Sequence, residues 1–321
     1  MNRKLKGLFT NKKLLFLSTI NIMLVLIVLY FFCPLYEEND DFGISCIASG
    51  LYGTEYMQYL IYSNIIYGYF LKVFGLIFSG GNWYVIMQYL LLTVSVIAIF
   101  YCFSFRFPFH IVVCANMLFW YMGFLQQIRR IQFTRTASVL CIAGFVLIWH
   151  GVSLSKRIAN ILGIVLIVFG SSIRLDCFFS VFPFFIVLFF FLCFSKEGVQ
   201  RQIFQRYLKV LFILLCVIGL FIAVNHICYF QNEDWADYKR YNAVRGELLD
   251  CGLPGWADYR EKYEAIGYTE NDIRILGGWI LEDNKKFDYE HLSEIASWKQ
   301  KPKFDTSWIP LYLKDFFQFA I

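Results

Sequence analysis

Long apolar segments separated by short polar ones dominate the first 228 residues of this chain. Several of them approach or exceed the ~18 apolar residues that carry a helix across a hydrocarbon core about 30 Å thick. Seven are clear membrane-span candidates: 14–33, 84–101, 109–124, 136–150, 159–173, 177–195 and 208–228. The pattern therefore predicts an all-α, polytopic membrane protein with about seven transmembrane helices.

An eighth segment, 57–78, is long enough to cross but carries several tyrosines, Asn64 and Lys72, which suit a membrane interface. If this segment stays on the surface, the cytoplasmic loops hold twelve Lys and Arg and the outer short loops hold four. If it crosses, the counts become nine and seven. Because cytoplasmic loops carry the excess of positive residues, we expect 57–78 to be an interfacial or re-entrant helix on the outer face.

This topology puts the N-terminus in the cytoplasm and makes residues 1–228 a transmembrane module. The positively charged segment Met1–Lys13 leads into the first span, and no small-residue cleavage site follows, so we expect the span to be retained. The acidic first outer loop, 34–58, then lies on the extracytoplasmic side.

Residues 229–321 are charged and rich in Trp and Tyr, which predicts a small helical extracytoplasmic domain. Helices are expected near 232–250, 255–266, 270–282 and 288–300. Thr269 and Asp272 have the spacing of a capping box, and Asp288 is a predicted N-cap. The apolar stretch 307–321 is expected to begin a further span or to pack against the bilayer.

Charge and cysteine content exclude some classes of protein. Charged residues make up 17% of the chain, below the roughly one quarter of soluble domains. The formal net charge of +5 does not indicate a nucleic-acid partner, because the positive residues collect in loops between spans. The ten cysteines have neither CxxC pairs nor zinc-like spacing with the four histidines, and no pattern selects a disulfide among Cys33, Cys46, Cys177, Cys228 and Cys251.

The first outer loop holds four carboxylates, those of Glu37, Glu38, Asp40 and Asp41. Residues 41–50 are expected to form a short surface helix with Asn39 or Asp40 as its N-cap. Asp40 and Asp41 are the candidate catalytic residues, since a carboxylate acts as a general base on a hydroxyl within reach. Alternatively, the pair holds a divalent cation that bridges to phosphate oxygens, or is only a cap and a solvated loop residue.

Four arginines interrupt the charge pattern on the outer side: Arg129, Arg130, Arg135 and Arg174. Guanidinium groups bind phosphate through two parallel hydrogen bonds and keep their charge near apolar surroundings. We therefore expect these arginines to bind a donor phosphate. The alternatives are contacts with lipid headgroups and salt bridges to Glu37, Glu38 and Asp176.

The order of these features resembles that of GT-C superfamily membrane glycosyltransferases, especially multi-spanning bacterial proteins of surface-polysaccharide loci. The resemblance covers about residues 14–195. It rests on Asn39-Asp40-Asp41, Asn64, Gly68, Gly81-Asn82-Trp83-Tyr84, Gln132-Phe133-Thr134 and Ile173-Arg174. Trp235 and Asn242-Ala243-Val244-Arg245 resemble the extracytoplasmic part of such proteins.

The resemblance implies sugar transfer from a polyprenyl-phosphate-linked donor to a cell-surface glycan or lipid acceptor at the outer leaflet. A carboxylate of the first outer loop, here Asp40 or Asp41, would deprotonate or position the acceptor. Such enzymes continue with further spans, so the chain is expected to be truncated or a minimal member. The alternatives are a transporter or flippase for lipid-linked sugars, and a non-enzymatic membrane sensor or structural protein.

Overall fold

The computed structural model describes residues 3–53, 55–195, 198–199 and 201–299, so the expectation for 307–321 falls outside the described residues. The chain divides into two units, Met1–Tyr229 and Phe230–Ile321. Almost all of the described secondary structure is helical, as the sequence predicts.

The first unit begins with helix α1 and continues through a series of apolar helices. Its elements are α1 Arg3–Phe31, β1 Leu35–Tyr36, α2 Asn39–Ala48, α3 Ile65–Ile77, α4 Trp83–Phe103, α5 Phe109–Phe119, a π-helical turn Trp120–Phe124, α6 Leu125–Arg129, β2 Arg130–Ile131, α7 Phe133–Leu154, α8 Arg157–Ile173, α9 Leu175–Cys193, β3 Phe194–Ser195, β4 Gly198–Val199 and α10 Arg201–Phe230. The strands form two short pairs, β1 with β2 in parallel and β3 with β4 antiparallel.

Four helices in the described residues are long and apolar enough to cross a membrane: Lys12–Phe31, Trp83–Phe103, Phe133–Leu154 and Arg201–Phe230. The other predicted spans correspond to shorter apolar helices, Phe109–Gly123, Arg157–Ile173 and Leu175–Phe191. The protein is therefore helical, with several apolar helices of membrane type.

The segment 57–78 is helical only over Ile65–Ile77, and residues before Asn64 run without regular structure. Asn64 begins α3 by accepting a hydrogen bond from the Ile66 amide. Its own amide donates to the Phe221 carbonyl of α10 at 3.0 Å, and the Asn64 backbone N–H donates to Ser172 of α8 at 2.7 Å. These bonds hold the start of α3 beside the C-terminal ends of α8 and α10.

Helices α7 and α8 are antiparallel. They pack closely because glycines face each other where the two helices cross. A Cβ atom added to Gly144 would lie 2.5 Å from the Gly163 carbonyl oxygen, and one added to Gly163 would lie 2.6 Å from that of Gly144. Small residues allow such close approach of helix backbones in membranes. The N-terminus of α7 therefore lies at the same end of the bundle as the C-terminus of α8.

The second unit contains α11 Glu233–Asp250, α12 Trp256–Ala265, α13 Glu270–Gly277 and α14 Tyr289–Ser297. The predicted capping box is present, with Thr269 and Asp272 satisfying each other's backbone N–H groups. Asp288 caps α14 by accepting from the His291 amide at 2.9 Å. Leu248, Tyr263, Leu276 and Leu292 form the centre of this unit's apolar core.

Candidate functional site around Asp41

The acidic loop is attached to the start of α7 by a short parallel strand pair. Leu35 and Tyr36 pair with Arg130 and Ile131, and the Glu37 amide donates to the Ile131 carbonyl at 3.0 Å. Directly after β1, the chain turns into α2. The predicted surface helix is thus present, but its N-cap is Glu38, without a side-chain cap bond, and not Asn39 or Asp40. Asn39 to Asp41 form the first turn instead, where the helix dipole favours negative charge.

Asp41 points into the protein and has no exposed surface. Its Oδ1 atom accepts two hydrogen bonds, one from the Tyr84 hydroxyl at 2.6 Å and one from the Phe133 backbone N–H at 2.9 Å. The carboxylate thereby connects the first turns of α2, α4 and α7. The Oδ2 atom is buried, and none of the described residues forms a hydrogen bond with it.

Burial raises the pKa of Asp41 from 3.8 to about 6, because removal from water penalises the charged carboxylate. The hydrogen bonds from Tyr84 and Phe133 lower the pKa and offset part of this effect, whereas the charges of Asp40 and Glu38 raise it further. A carboxyl group in this state exchanges a proton closer to neutral pH than an ordinary aspartate does.

A second polar group next to α2 is made of three uncharged side chains. The Tyr36 hydroxyl donates to Ser45 Oγ at 2.8 Å, and the Asn82 amide donates to both, at 2.9 Å each. Asn82 Oδ1 also accepts from the Val85 N–H and so caps α4. These bonds hold α2 against the start of α4 one helical turn after Asp41, since Ser45 lies four residues further along the same face of α2.

Asp40 lies on a different side of the same helical turn and is partly exposed. The two predicted catalytic residues therefore occupy different environments. Asp40 is accessible to a ligand, whereas Asp41, without exposed surface, leaves no room for a hydrated cation. Among the described residues, no three His, Cys, Asp or Glu side chains form a group that fits a metal ion. The shared cation site considered for the aspartate pair is therefore not supported by their geometry.

Arg135 forms a two-pronged salt bridge with Glu37, with N–O distances of 2.7 and 2.8 Å. A salt bridge from Arg135 to Glu37 is one of the predicted alternatives to phosphate binding. The pair is partly exposed and connects the acidic loop to the first turn of α7.

Arg174 lies just after α8 and faces the same region. One of its nitrogens donates to Thr134 Oγ1 at 3.0 Å, and another lies 3.5 Å from the carboxylate of Asp176. The guanidinium carbon is 5.2 Å from the centre of the Phe133 ring and 5.6 Å from that of Tyr62. Such contacts orient a guanidinium group while leaving part of its surface available to an anion.

Arg129 and Arg130 are exposed at the end of α6 and in β2. The guanidinium of Arg129 lies 5.5 Å from the centre of the Phe32 ring. Since β2 pairs with β1, Arg130 is next to the acidic loop in the sheet register. All four predicted arginines thus lie near the helix ends that surround α2.

The roles of Tyr84 and Tyr36 were not inferred from the sequence. One sequence signal was available for Tyr84. Tyr84 and Gln88 stand four residues apart, which places two polar side chains on one face of an otherwise apolar helix. Both are buried, as is Tyr67, which is close enough to Asp41 to interact with its charge.

No family model, curated protein or solved structure matches this chain. Several of the segments quoted for the resemblance nevertheless meet at Asp41. Tyr84 and Phe133 bond to its carboxylate, and Thr134 bonds to Arg174.

Proposed function

We propose that this protein is a GT-C-type membrane glycosyltransferase that moves a sugar from a polyprenyl-phosphate-linked donor to a cell-surface glycan or lipid acceptor. One observation carries the proposal: the acidic loop that holds the accessible Asp40 is bonded through Glu37 to Arg135, at one end of the apolar helices. Arg174 bonds to Thr134 in the same first turn of α7. A donor of this type brings an anionic phosphate and an apolar chain to the membrane surface. A carboxylate beside guanidinium groups suits such a donor and a hydroxyl acceptor.

The proposal includes a seven-span module in which the three shorter apolar helices also cross and α3 lies at the outer interface. The N-terminus is then cytoplasmic, and the second unit is extracytoplasmic in a multi-pass protein of the cell membrane. The 17 residues of Arg157–Ile173 extend about 26 Å at 1.5 Å per residue, close to the thickness of a hydrocarbon core.

The roles of the two aspartates differ in this proposal. Asp40 is the candidate general base because a substrate hydroxyl can reach it. Asp41 is a positioning residue, which fixes the first turn of α2 through Tyr84 and Phe133. Arg174, with exposed Arg129 and Arg130, would contact the donor phosphate, and Arg135 would join them once Glu37 releases it.

The distribution of charge favours this function over transport of a lipid-linked sugar. Helix α4 contains no charged residue, and α7 contains none after Arg135. Transporters commonly place polar and ionisable groups at the middle of broken helices. Here the charges are instead grouped at helix ends, where a reaction at the membrane surface would use them.

The test is transfer of labelled sugar from polyprenyl-phosphate-linked hexoses in liposomes that contain the purified protein. Asp40→Asn keeps the shape of the side chain and removes its basicity, so turnover is expected to fall by about 100-fold or more. Donor binding is expected to persist. Glu38→Gln, at the exposed neighbouring carboxylate, is the matched control and should retain activity.

Arg174→Lys tests the phosphate contact in the same preparation. It keeps the positive charge but loses the planar fork, so donor binding should weaken. Arg260→Lys, at an exposed arginine of the second unit, is the control. Full transfer by the Asp40→Asn protein would contradict the role of Asp40, and unchanged donor binding by Arg174→Lys would contradict that of Arg174.

A further inference from the structure

A cavity of about 720 Å³ lies at the end of α7 opposite to Asp41. The C-terminal end of α7, the N-terminal end of α8 and the first turns of α10 line it, through Ser155, Arg157, Arg206 and Lys209 among others. Since α7 has 22 residues, its two ends are about 33 Å apart. The separation between this cavity and Asp41 is thus close to the thickness of a hydrocarbon core, about 30 Å.

Three positive side chains, those of Arg157, Arg206 and Lys209, line this cavity together. Within the described part of the chain, no ion pair involves Arg157, Arg206 or Lys209. Arg206 instead donates to Ser155 Oγ and lies 3.4 Å from the Val152 carbonyl, which fixes its position at the end of α7. Arg157 begins α8, so the positive end of a helix dipole adds to the same field.

Apart from Asn160 and Gly151, the remaining walls of the cavity are apolar and continue onto a surface that faces outward. Ile161, Ile164, Val210 and Ile213 line the cavity beside the basic residues. Ile161 is 60% exposed and Ile213 is 43% exposed. An occupant of this site therefore meets positive charge at one end and exposed apolar side chains at the other.

We propose that this cavity binds an anionic phospholipid of the bilayer, with its phosphate among Arg157, Arg206 and Lys209 and its acyl chains along α8 and α10. Charge complementarity selects an anionic headgroup, and the exposed apolar wall selects a lipid over a free phosphate. Basic pockets between membrane helices recognise lipid headgroups in this way. The inference does not depend on sugar transfer, since it uses residues at the other end of the helices.

The test uses purified full-length protein in uncharged detergent, titrated with phosphatidylglycerol and followed by native mass spectrometry. The main variant is Arg157→Gln/Lys209→Gln, which leaves Arg206 and its hydrogen bonds intact. It is expected to bind phosphatidylglycerol about tenfold or more weakly, because each basic residue near a lipid surface contributes substantially to attraction. The charge-preserving variant Arg157→Lys/Lys209→Arg should bind like the unmodified protein.

Arg260→Gln/Lys285→Gln removes the same number of positive charges from exposed positions of the second unit and should leave binding unchanged. Phosphatidylcholine should bind weakly, and millimolar inorganic phosphate should not displace the lipid. Equal binding by the main variant and the unmodified protein would overturn the proposal. An equal loss of phosphatidylglycerol binding in the Arg260→Gln/Lys285→Gln control would also overturn it. The same holds if phosphatidylcholine binds as tightly, or if inorganic phosphate displaces the lipid completely.

Discussion

At the scale of single residues, Asp41 is unusual because it is an aspartate without exposed surface. The sequence predicts that Asp40 and Asp41 are candidate catalytic residues, and a catalytic carboxylate must be within reach of a substrate. Asp41 does not meet this condition, since its carboxylate is enclosed and bonded to Tyr84 and Phe133. A buried carboxylate with one unpartnered oxygen is costly, so we expect its ionisation to affect stability.

The raised pKa of Asp41 predicts a pH dependence of the free energy of unfolding. Between pH 3.8 and about 6 the folded state holds the proton more tightly than the unfolded state, so stability falls as pH rises. Asp41→Asn keeps an acceptor for Tyr84 and Phe133 but cannot ionise. The unfolding temperature of Asp41→Asn, measured relative to that of the unmodified protein at the same pH, should therefore rise from pH 4 to pH 7.

Comparing the two proteins at each pH removes the contribution of other titrating groups. Asp41→Ala is the informative second variant, because it leaves the Tyr84 hydroxyl and the Phe133 N–H without an acceptor. Each buried group left unsatisfied costs about 1–3 kcal/mol, so this protein should be less stable at both pH values. Parallel pH curves for the unmodified protein and Asp41→Asn would contradict the assigned pKa.

At the scale of elements, close approach of backbones decides where the site residues lie. Gly68 of α3 faces the Gln58 carbonyl oxygen, which an added Cβ would approach to 1.8 Å. Gly144 and Gly163 similarly allow α7 and α8 to cross in contact. This crossing places Thr134, at the start of α7, next to Arg174, just after α8.

Gly144→Ala is expected to destabilise the protein by about 1–3 kcal/mol, because the added methyl group must displace backbone or Ile167. Gly219→Ala in α10 is the matched control, since a Cβ there meets open space and alanine favours a helix. The measurement is the unfolding temperature of each variant in the same detergent. Equal stability of the two variants would show that α7 and α8 do not touch at Gly144.

At the scale of the whole molecule, the loop charges predict the orientation of the chain in the membrane. Twelve positive residues on one side against four on the other favour a cytoplasmic N-terminus. Asp41 and Trp256 are then expected on the same, extracytoplasmic side. The measurement is labelling of single cysteines at Asn39 and Ala257, exposed neighbours of these two residues, by a membrane-impermeant reagent in intact cells, with the ten native cysteines replaced.

A cysteine at Ser155, between α7 and α8, serves as the control and should be labelled only after the cells are opened. Labelling of position 39 but not of position 257 in intact cells would mean that 57–78 crosses the membrane. Only 13 residues of this segment are helical, and a helix of that length extends about 20 Å.

The sequence alone determined the helical class, the apolar segments and the helix starts at Thr269 and Asp288, because apolar length and capping residues act locally. It could not determine the environments of Asp40 and Asp41. Consecutive residues of a helix point about 100° apart, and only the packing of α4 and α7 on α2 decides which one is buried. Likewise, 98 positions separate Arg135 from Glu37, and the basic cavity combines α7, α8 and α10. Such contacts exist only in the tertiary structure, since they depend on which helix ends meet.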